Sequence, residues 1–351
     1  MAGLVTTMPL SEAHSSSMPW VLKPLAWLWS GLKFLFRFLL LVWATLALYW
    51  SNLPGAWLRL ALAIGFLAFG IYALWLKRTL RTYLAFAGLF LVVVTLYRSI
   101  QPSFDRPWQT EVAILPEASR DGDRVLLKNF RNFDYRSTTD FSPHYESREV
   151  LLSHLTSLDF YISYWVPGPI AHTFVTFNFD NAPPVCISIE ARRKIGQGFD
   201  PLSSLFKQFG LIYVVGDERD IVRVRTNFRH EDVFLYHIET SPENARKLFL
   251  VYLDRINEIA SRPEFYHLLS NSCTINIVRY ARSTGKLQQF DTRFLFNGYS
   301  DRGLYRAGLL NPKLSFAELR RRAFINNLAQ AAGDAPDFSN RIRASLPVAQ
   351  P

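Results

Sequence analysis

The chain has 351 residues, 49% hydrophobic and 15% aromatic, enough apolar material for one or two folded domains and too much for a disordered chain. Its formal net charge of +10 invites a nucleic-acid reading, but residues 1–100 hold eight basic residues against the single acid Glu12. That stretch accounts for +7 and leaves +3 for the other 251 residues, so the excess is read as a membrane-flank feature and no nucleic-acid partner is expected.

Residues 1–33 are expected to be a cytoplasmic segment and residues 34–98 to hold three transmembrane helices. The apolar runs Phe34–Trp50, Leu60–Leu76 and Thr82–Tyr97 are each near the length that crosses a bilayer core of about 30 Å. Trp and Tyr cluster at their ends, as interfacial anchors do. Arg37 is the one charge inside a run, close enough to its start to be expected to snorkel. A cleaved signal peptide does not account for the second and third runs. The loop KRTLR at 77–81 has three positive charges and SNLPG at 51–55 has none. The excess of positive charge on cytoplasmic loops then puts the N-terminus and KRTLR inside. Everything after Arg98 is expected in the periplasm of a bacterium, tethered to its inner membrane by several spans. Phe104, Trp108 and the last span's Tyr97 are expected to hold that part near the acyl chains.

Residues 99–127 contain Pro and Asp and read as a linker. Residues 128–311 read as a folded domain with strand-like runs at 157–166, 171–179, 184–191, 211–216 and 232–239. Turn signals at 167–169 and 180–184 make the first three an antiparallel meander. A helix follows, with Ser241 as N-cap and Pro242 in its first turn, stopping before Pro263. A second begins at Cys273, capped by Asn271 or Ser272, with Gly285 as its stop. Residues 312–351 are expected to give one helix near 315–332 and then a disordered tail. The class is α+β, an antiparallel sheet flanked by helices.

Cys273 is one of two cysteines in the chain. In the first turn of a helix it would sit beside unpaired N–H groups, where the positive helix end favours a thiolate. His172 opens the run HTFVTFNF after a turn, sharing a strand face with Phe174, Thr176 and Asn178, and is the candidate base. Glu190 in the adjacent run is the candidate acceptor that orients the imidazole. Two other readings stay open: a Cys186–Cys273 disulfide in an oxidising compartment, and a Cys273 that is only a core residue. Arg219, Arg223, Arg225 and Arg229 either meet phosphates or pair locally with Asp217, Glu218, Asp220 and Glu231.

The stretches NFRNFDYRSTTDFSPHYE, LDFYISYW, IAHTFVTF, SIEARRKIGQGFDPL, YVVGDERDIVRVRTN and NSCTINI run in order over residues 128–282. In these, the chain resembles the bacterial Lnb N-terminal periplasmic domain family. Members usually show HNCT or a close variant where this chain has Asn271-Ser272-Cys273-Thr274. The resemblance implies a papain-like, circularly permuted fold of the NlpC/P60 type, in which the histidine strand precedes the cysteine helix. It also implies a cysteine-dependent acyltransferase, because the namesake proteins N-acylate lipoproteins through a thiol. Their membrane segments are arranged differently from the triple span here. On this reading Cys273 is the nucleophile, His172 the base and Glu190 its orienter, with Arg192, Arg219, Asn271 and Thr274 as candidate substrate contacts. Membrane phospholipid is the expected partner and lipoprotein a candidate acceptor, with no cofactor and no metal. The alternatives are a non-catalytic envelope module that binds lipid or peptidoglycan, and a papain-like amidase, peptidase or lipase.

Overall fold

A computed structural model describes residues 23–283 and 297–347. The chain divides into two units, Met1–Ile100 and Gln101–Pro351. The first holds α1 (Lys23–Tyr49), α2 (Ala56–Ile71), which continues as a π-helical turn over Tyr72–Lys77, and α3 (Leu80–Ser99). Its segments Pro24–Tyr49, Ala56–Lys77 and Leu80–Ser99, of 26, 22 and 20 residues, are long and apolar enough to cross a membrane. α3 starts with a capping box in which the Thr79 hydroxyl accepts from the Thr82 N–H and the Thr82 hydroxyl from the Thr79 N–H.

α1 starts at Lys23 rather than at Phe34, so Arg37 lies well inside the helix and not near its end. Instead of snorkelling, its Nη1 donates to the Leu74 carbonyl at 3.4 Å and its guanidinium lies over the Tyr83 ring. Leu74 is in the last turn of its helix, where carbonyls lack an intrahelical donor. The charge is therefore partnered within the helical unit, close to the KRTLR loop. Residues 1–22 of the expected cytoplasmic segment lie outside the described residues.

The second unit contains β1 (Glu117–Asp121), β2 (Arg124–Arg131), β3 (Asp134–Tyr135), β4 (Phe141–Ser142), β5 (Tyr145–Leu151), β6 (Leu155–Tyr164), β7 (His172–Phe179), β8 (Val185–Arg192), β9 (Gly210–Gly216) and β10 (Asp232–His237). Its helices are α4 (Glu218–Ile221), α5 (Pro242–Ser261), α6 (Cys273–Ser283), α7 (Ser300–Arg306), α8 (Phe316–Ala323), α9 (Asn326–Ala332) and α10 (Phe338–Arg341). Eight strands form one sheet in the order β1-β2-β9-β8-β7-β6-β10, with β5 also on β2, while β3 and β4 pair separately. β6, β7 and β8 are the expected meander. The sheet is mixed rather than antiparallel throughout, because β2 and β9 meet in parallel at Arg131 and Gly216. A Cβ at Gly216 would collide with the Arg131 carbonyl oxygen, so the close approach requires glycine there.

Helices cover both faces of the sheet. On one, α5 lays down Leu248, Phe249, Tyr252, Ile256 and Ile259 at helical spacing, against Val175, Phe177, Ile187 and Tyr213. Its start is the expected one, with the Ser241 hydroxyl accepting from the Asn244 N–H and Pro242 in the first turn. α6 packs on this face with Cys273 and Ile277. On the other face Tyr161, Phe174, Cys186 and Ile212 pack against Ile221, Ala329, Phe338 and Ile342 from the helices after β9.

Two boundaries differ from the sequence expectation. The 99–127 linker ends early, since β1 and the start of β2 are a hairpin turning at Gly122, whose φ is +57°. Residues 333–347 are not disordered. Phe338 and Ile342 are buried, and Arg343 reaches Asp159 and Glu218. An apolar core and two buried carboxylates recruit a segment that its polar composition had assigned to solvent. Gly285, the expected stop of α6, lies outside the described residues, as do residues 348–351.

Candidate active site

Cys273 opens α6, as expected of a thiol at a helix N-terminus. The turn before it is tied down by Asn271, whose Nδ2 donates to the Phe265 carbonyl at 3.0 Å and to Glu264 Oε2 at 3.1 Å. Asn271 Oδ1 accepts from Asn276 Nδ2 at 2.9 Å. Thr274 is buried and its hydroxyl meets that of Thr173 at 2.8 Å, which docks α6 onto β7. Both residues brace the helix start rather than open onto a cleft.

His172 begins β7, whose next residue Thr173 meets Thr274 of α6, and the ring and the Cys273 thiol act on each other's charge. His172 Nε2 donates to Ser188 Oγ at 2.7 Å and lies 3.3 Å from Glu190 Oε1. Ser188 donates onward to Glu190 Oε1 at 2.8 Å, and Arg225 Nη2 donates to that oxygen at 2.6 Å. Arg225 is itself buried, with its guanidinium over the Phe174 ring at 4.8 Å. Cys273 belongs to the core on one face of the sheet, and Arg225 stands by Phe174 of the other. His172, at the strand's end, reaches both sides.

The electrostatics follow from this chain of contacts. Burial pushes the Cys273 thiol up, but the hydrogen bond and charge of His172, with bonds from Thr173, outweigh it and bring the thiol down to about 6. Burial pushes His172 down, while the Glu190 charge and the bonds to Cys273 and Glu190 raise it to about 9. Burial also disfavours the charged form of Glu190, yet His172 and Arg225 hold the carboxyl well below its ordinary range. Between about pH 6 and 9 the pair is therefore thiolate and imidazolium. Cys186, in contrast, is a free thiol buried in β8, pushed far up by desolvation and the nearby Glu218. Neither cysteine is in a disulfide.

A cleft of about 780 Å³ opens beside His172 and Glu190. Trp165, Ile170, Ile195, Phe199 and Leu268 give it an apolar wall, and Arg193, Arg229 and Glu231 a polar one. Cys273 is not among the residues that line it and is only 1% exposed. Tyr266 and Asn297, both lining the cleft, stand beside the sulfur. Asn297 Nδ2 is 3.9 Å from Sγ, and the charge of Cys273 acts on the Tyr266 phenol. Burial, then the charge of Cys273, holds that phenol far above its ordinary pKa, so it stays a neutral donor. Asn297 is placed by its own bonds to the Ala171 backbone and by Gly298, where a Cβ would strike the Gly168 carbonyl.

The local-pairing alternative holds only in part, with Arg225 and Arg229 reaching Glu231 at 3.9 and 3.8 Å while Arg225 pairs more closely with Glu190. Arg219 Nη1 pairs with Asp134 at 2.9 Å and its Nη2 donates to Asn132. Arg192 is buried, donates to the Val112 and Ala113 carbonyls and stacks on Trp108, and burial lowers it to about 10. Neither lines the cleft. Ser188, Tyr266 and Asn297 were not singled out from sequence. Ser188 had a readable signal, since it alternates with Glu190 on one strand face, whereas the other two are brought to the sulfur only by the fold.

The family model of the Lnb N-terminal periplasmic domain matches residues 141–299, the stretch that contains every residue of this constellation. With the three apolar helices, that marks a membrane protein with a periplasmic domain. No curated protein and no solved structure matches the chain.

Proposed function

We propose, on the premise that residues 141–299 are an Lnb N-terminal periplasmic domain, that this chain is a cysteine-dependent acyltransferase of the bacterial inner membrane. The observation that carries the reading is Cys273 at the start of α6, docked onto β7, whose first residue His172 is backed by Glu190 and Arg225. The domain's arrangement is papain-like in kind: a thiol at a helix N-terminus against a histidine on a strand, with the histidine first in sequence. The three helices cross the membrane several times, with the KRTLR loop inside and the domain in the periplasm.

The thiolate of Cys273 attacks the carbonyl carbon of a phospholipid acyl ester. The Tyr266 hydroxyl and Asn297 amide are the donors beside the sulfur for the oxyanion that develops. As the C–O bond breaks, His172 gives its proton to the departing alkoxide, and a thioester is left on Cys273. A lipoprotein's N-terminal amine then attacks the thioester and surrenders a proton to His172. The amide forms and the thiolate leaves. Glu190 holds the imidazole and stabilises its charge throughout.

Reconstituted full-length protein, supplied with phospholipid and a diacylated lipoprotein, should N-acylate the lipoprotein. Cys273→Ser and His172→Ala should each lower the rate on the order of a thousandfold or more while the protein still folds and inserts. A second reading, a non-catalytic lipid-binding module, is favoured by the closure around Cys273, which is only 1% exposed. Full activity in Cys273→Ser would give that reading the lead.

A further inference from the structure

The periplasmic unit exposes eight large apolar side chains among its described residues, and they are not scattered. Trp165 (46%) and Val166 (63%) lie in the β6–β7 turn, Ile195 (71%) and Leu202 (48%) between β8 and β9, and Leu269 (55%) in the turn before α6. Trp165 and Ile195 line the cleft itself, and Leu202 and Leu269 share loops with its lining residues Phe199 and Leu268. A sixth, Phe104, lies where the chain enters the unit.

That entry is the second observation. The Ile195 N–H donates to the Pro107 carbonyl at 2.8 Å, Gln109 N–H to the Arg193 carbonyl at 2.9 Å, and Trp108 bridges to Lys194. The polypeptide therefore joins this unit at the cleft's own rim, only eight residues (100–107) after the last apolar helix ends. Trp108 is half-buried with Arg192 over its ring, and the loops around the cleft carry the more exposed apolar side chains. The cleft's own charges are mixed, Arg193, Arg225 and Arg229 with Glu111, Glu190 and Glu231, so the apolar loop tips are its distinguishing surface feature. Apolar tips flanked by polar and charged groups are the chemistry of the boundary between headgroups and acyl chains.

We infer that the rim of this cleft is a membrane-docking surface: the turns bearing Trp165, Val166, Ile195 and Leu269 enter the headgroup–acyl boundary of the bilayer, so that the cleft opens onto lipid rather than water. This deepens the acyltransferase reading by giving the acyl donor a direct way in, but the surface rests on exposure and chain entry, not on the chemistry at Cys273.

Full-length protein in phosphatidylethanolamine–phosphatidylglycerol vesicles tests it. The photoreactive residue p-benzoylphenylalanine is placed at Ile195, at Leu269 or, as a control on an edge strand, at Arg120. Irradiation should give phospholipid adducts by mass spectrometry at 195 and 269 and none at 120, with the same pattern in a Cys273→Ala background. Adducts to a second copy of the chain, adducts within residues 284–296, or no lipid adduct at either rim position would overturn the inference. Lipid adducts at the rim with no acyl transfer by the native protein would instead sink the enzymatic reading and leave the surface standing.

Discussion

Burial alone would push the Cys273 thiol up, but His172 brings it down, as the proposed nucleophile requires. Its sulfur is lowered to about 6 against an ordinary thiol near 8.5, and the compensating charge resides on an imidazole raised to about 9. The sign of the pH dependence follows. Alkylation of Cys273 by iodoacetamide should rise as pH increases through about 6, where the thiol loses its proton, and not near 8.5. Acyl transfer should fall above about 9, where His172 no longer holds the proton it gives the leaving group. Glu190→Gln removes the charge that keeps the imidazole protonated, so the alkylation midpoint should move upward. A native midpoint above 8 would contradict the ion pair. At this scale much was legible in the sequence. A rare residue type before a helical run picked out Cys273, and a turn before a strong strand picked out His172. Adjacency to the histidine strand led to Glu190 and stopped one step short of Ser188, on the same strand face. Nothing local marks Asn297, whose partners Ala171 and Cys273 are 126 and 24 residues away.

The elements that were misread share a cause, because each was judged by composition and not by spacing. Residues 121–123, Asp-Gly-Asp, are a tight-turn signal between alternating segments, and the β1–β2 hairpin turns there. In the C-terminal segment Phe338, Ile342 and Leu346 recur every fourth residue, the spacing of one helix face, and all three pack on the second core. What the sequence could not show was that Asp159 and Glu218, 1% and 0% exposed, wait for a cation. Arg343 supplies it, donating to Asp159 at 2.9 Å and to both Glu218 oxygens at 2.7 Å. Arg343→Ala would leave two buried carboxylates without that partner and should cost about 3–5 kcal/mol. Arg341→Ala, which breaks only the exposed pair with Asp337, should cost about 0–1 kcal/mol. Denaturation of the detergent-solubilised protein measures both, and equal small losses would contradict the clamp.

At the scale of the molecule, hydropathy was the most legible feature, because a bilayer imposes a length rule that holds without tertiary detail. The three apolar helices, the unit boundary at Ile100 and Gln101 and the α+β periplasmic unit all follow the sequence pattern. The path of the sheet did not, since β2 returns to β9 across more than eighty residues and only the folded chain shows the parallel contact. Helices long and apolar enough to cross a membrane, a unit that the chain enters at its cleft, and a buried thiol next to the cleft-lining Tyr266 and Asn297 together make a case for acyl transfer at the membrane surface. The intact mass of the full-length protein, incubated with phospholipid and no amine acceptor, tests that case most directly. The expected result is a gain of one acyl chain on Cys273 that hydroxylamine releases, that an added lipoprotein discharges, and that Cys273→Ala abolishes. An unmodified Cys273 in protein that still transfers acyl groups when lipoprotein is added would contradict the covalent mechanism.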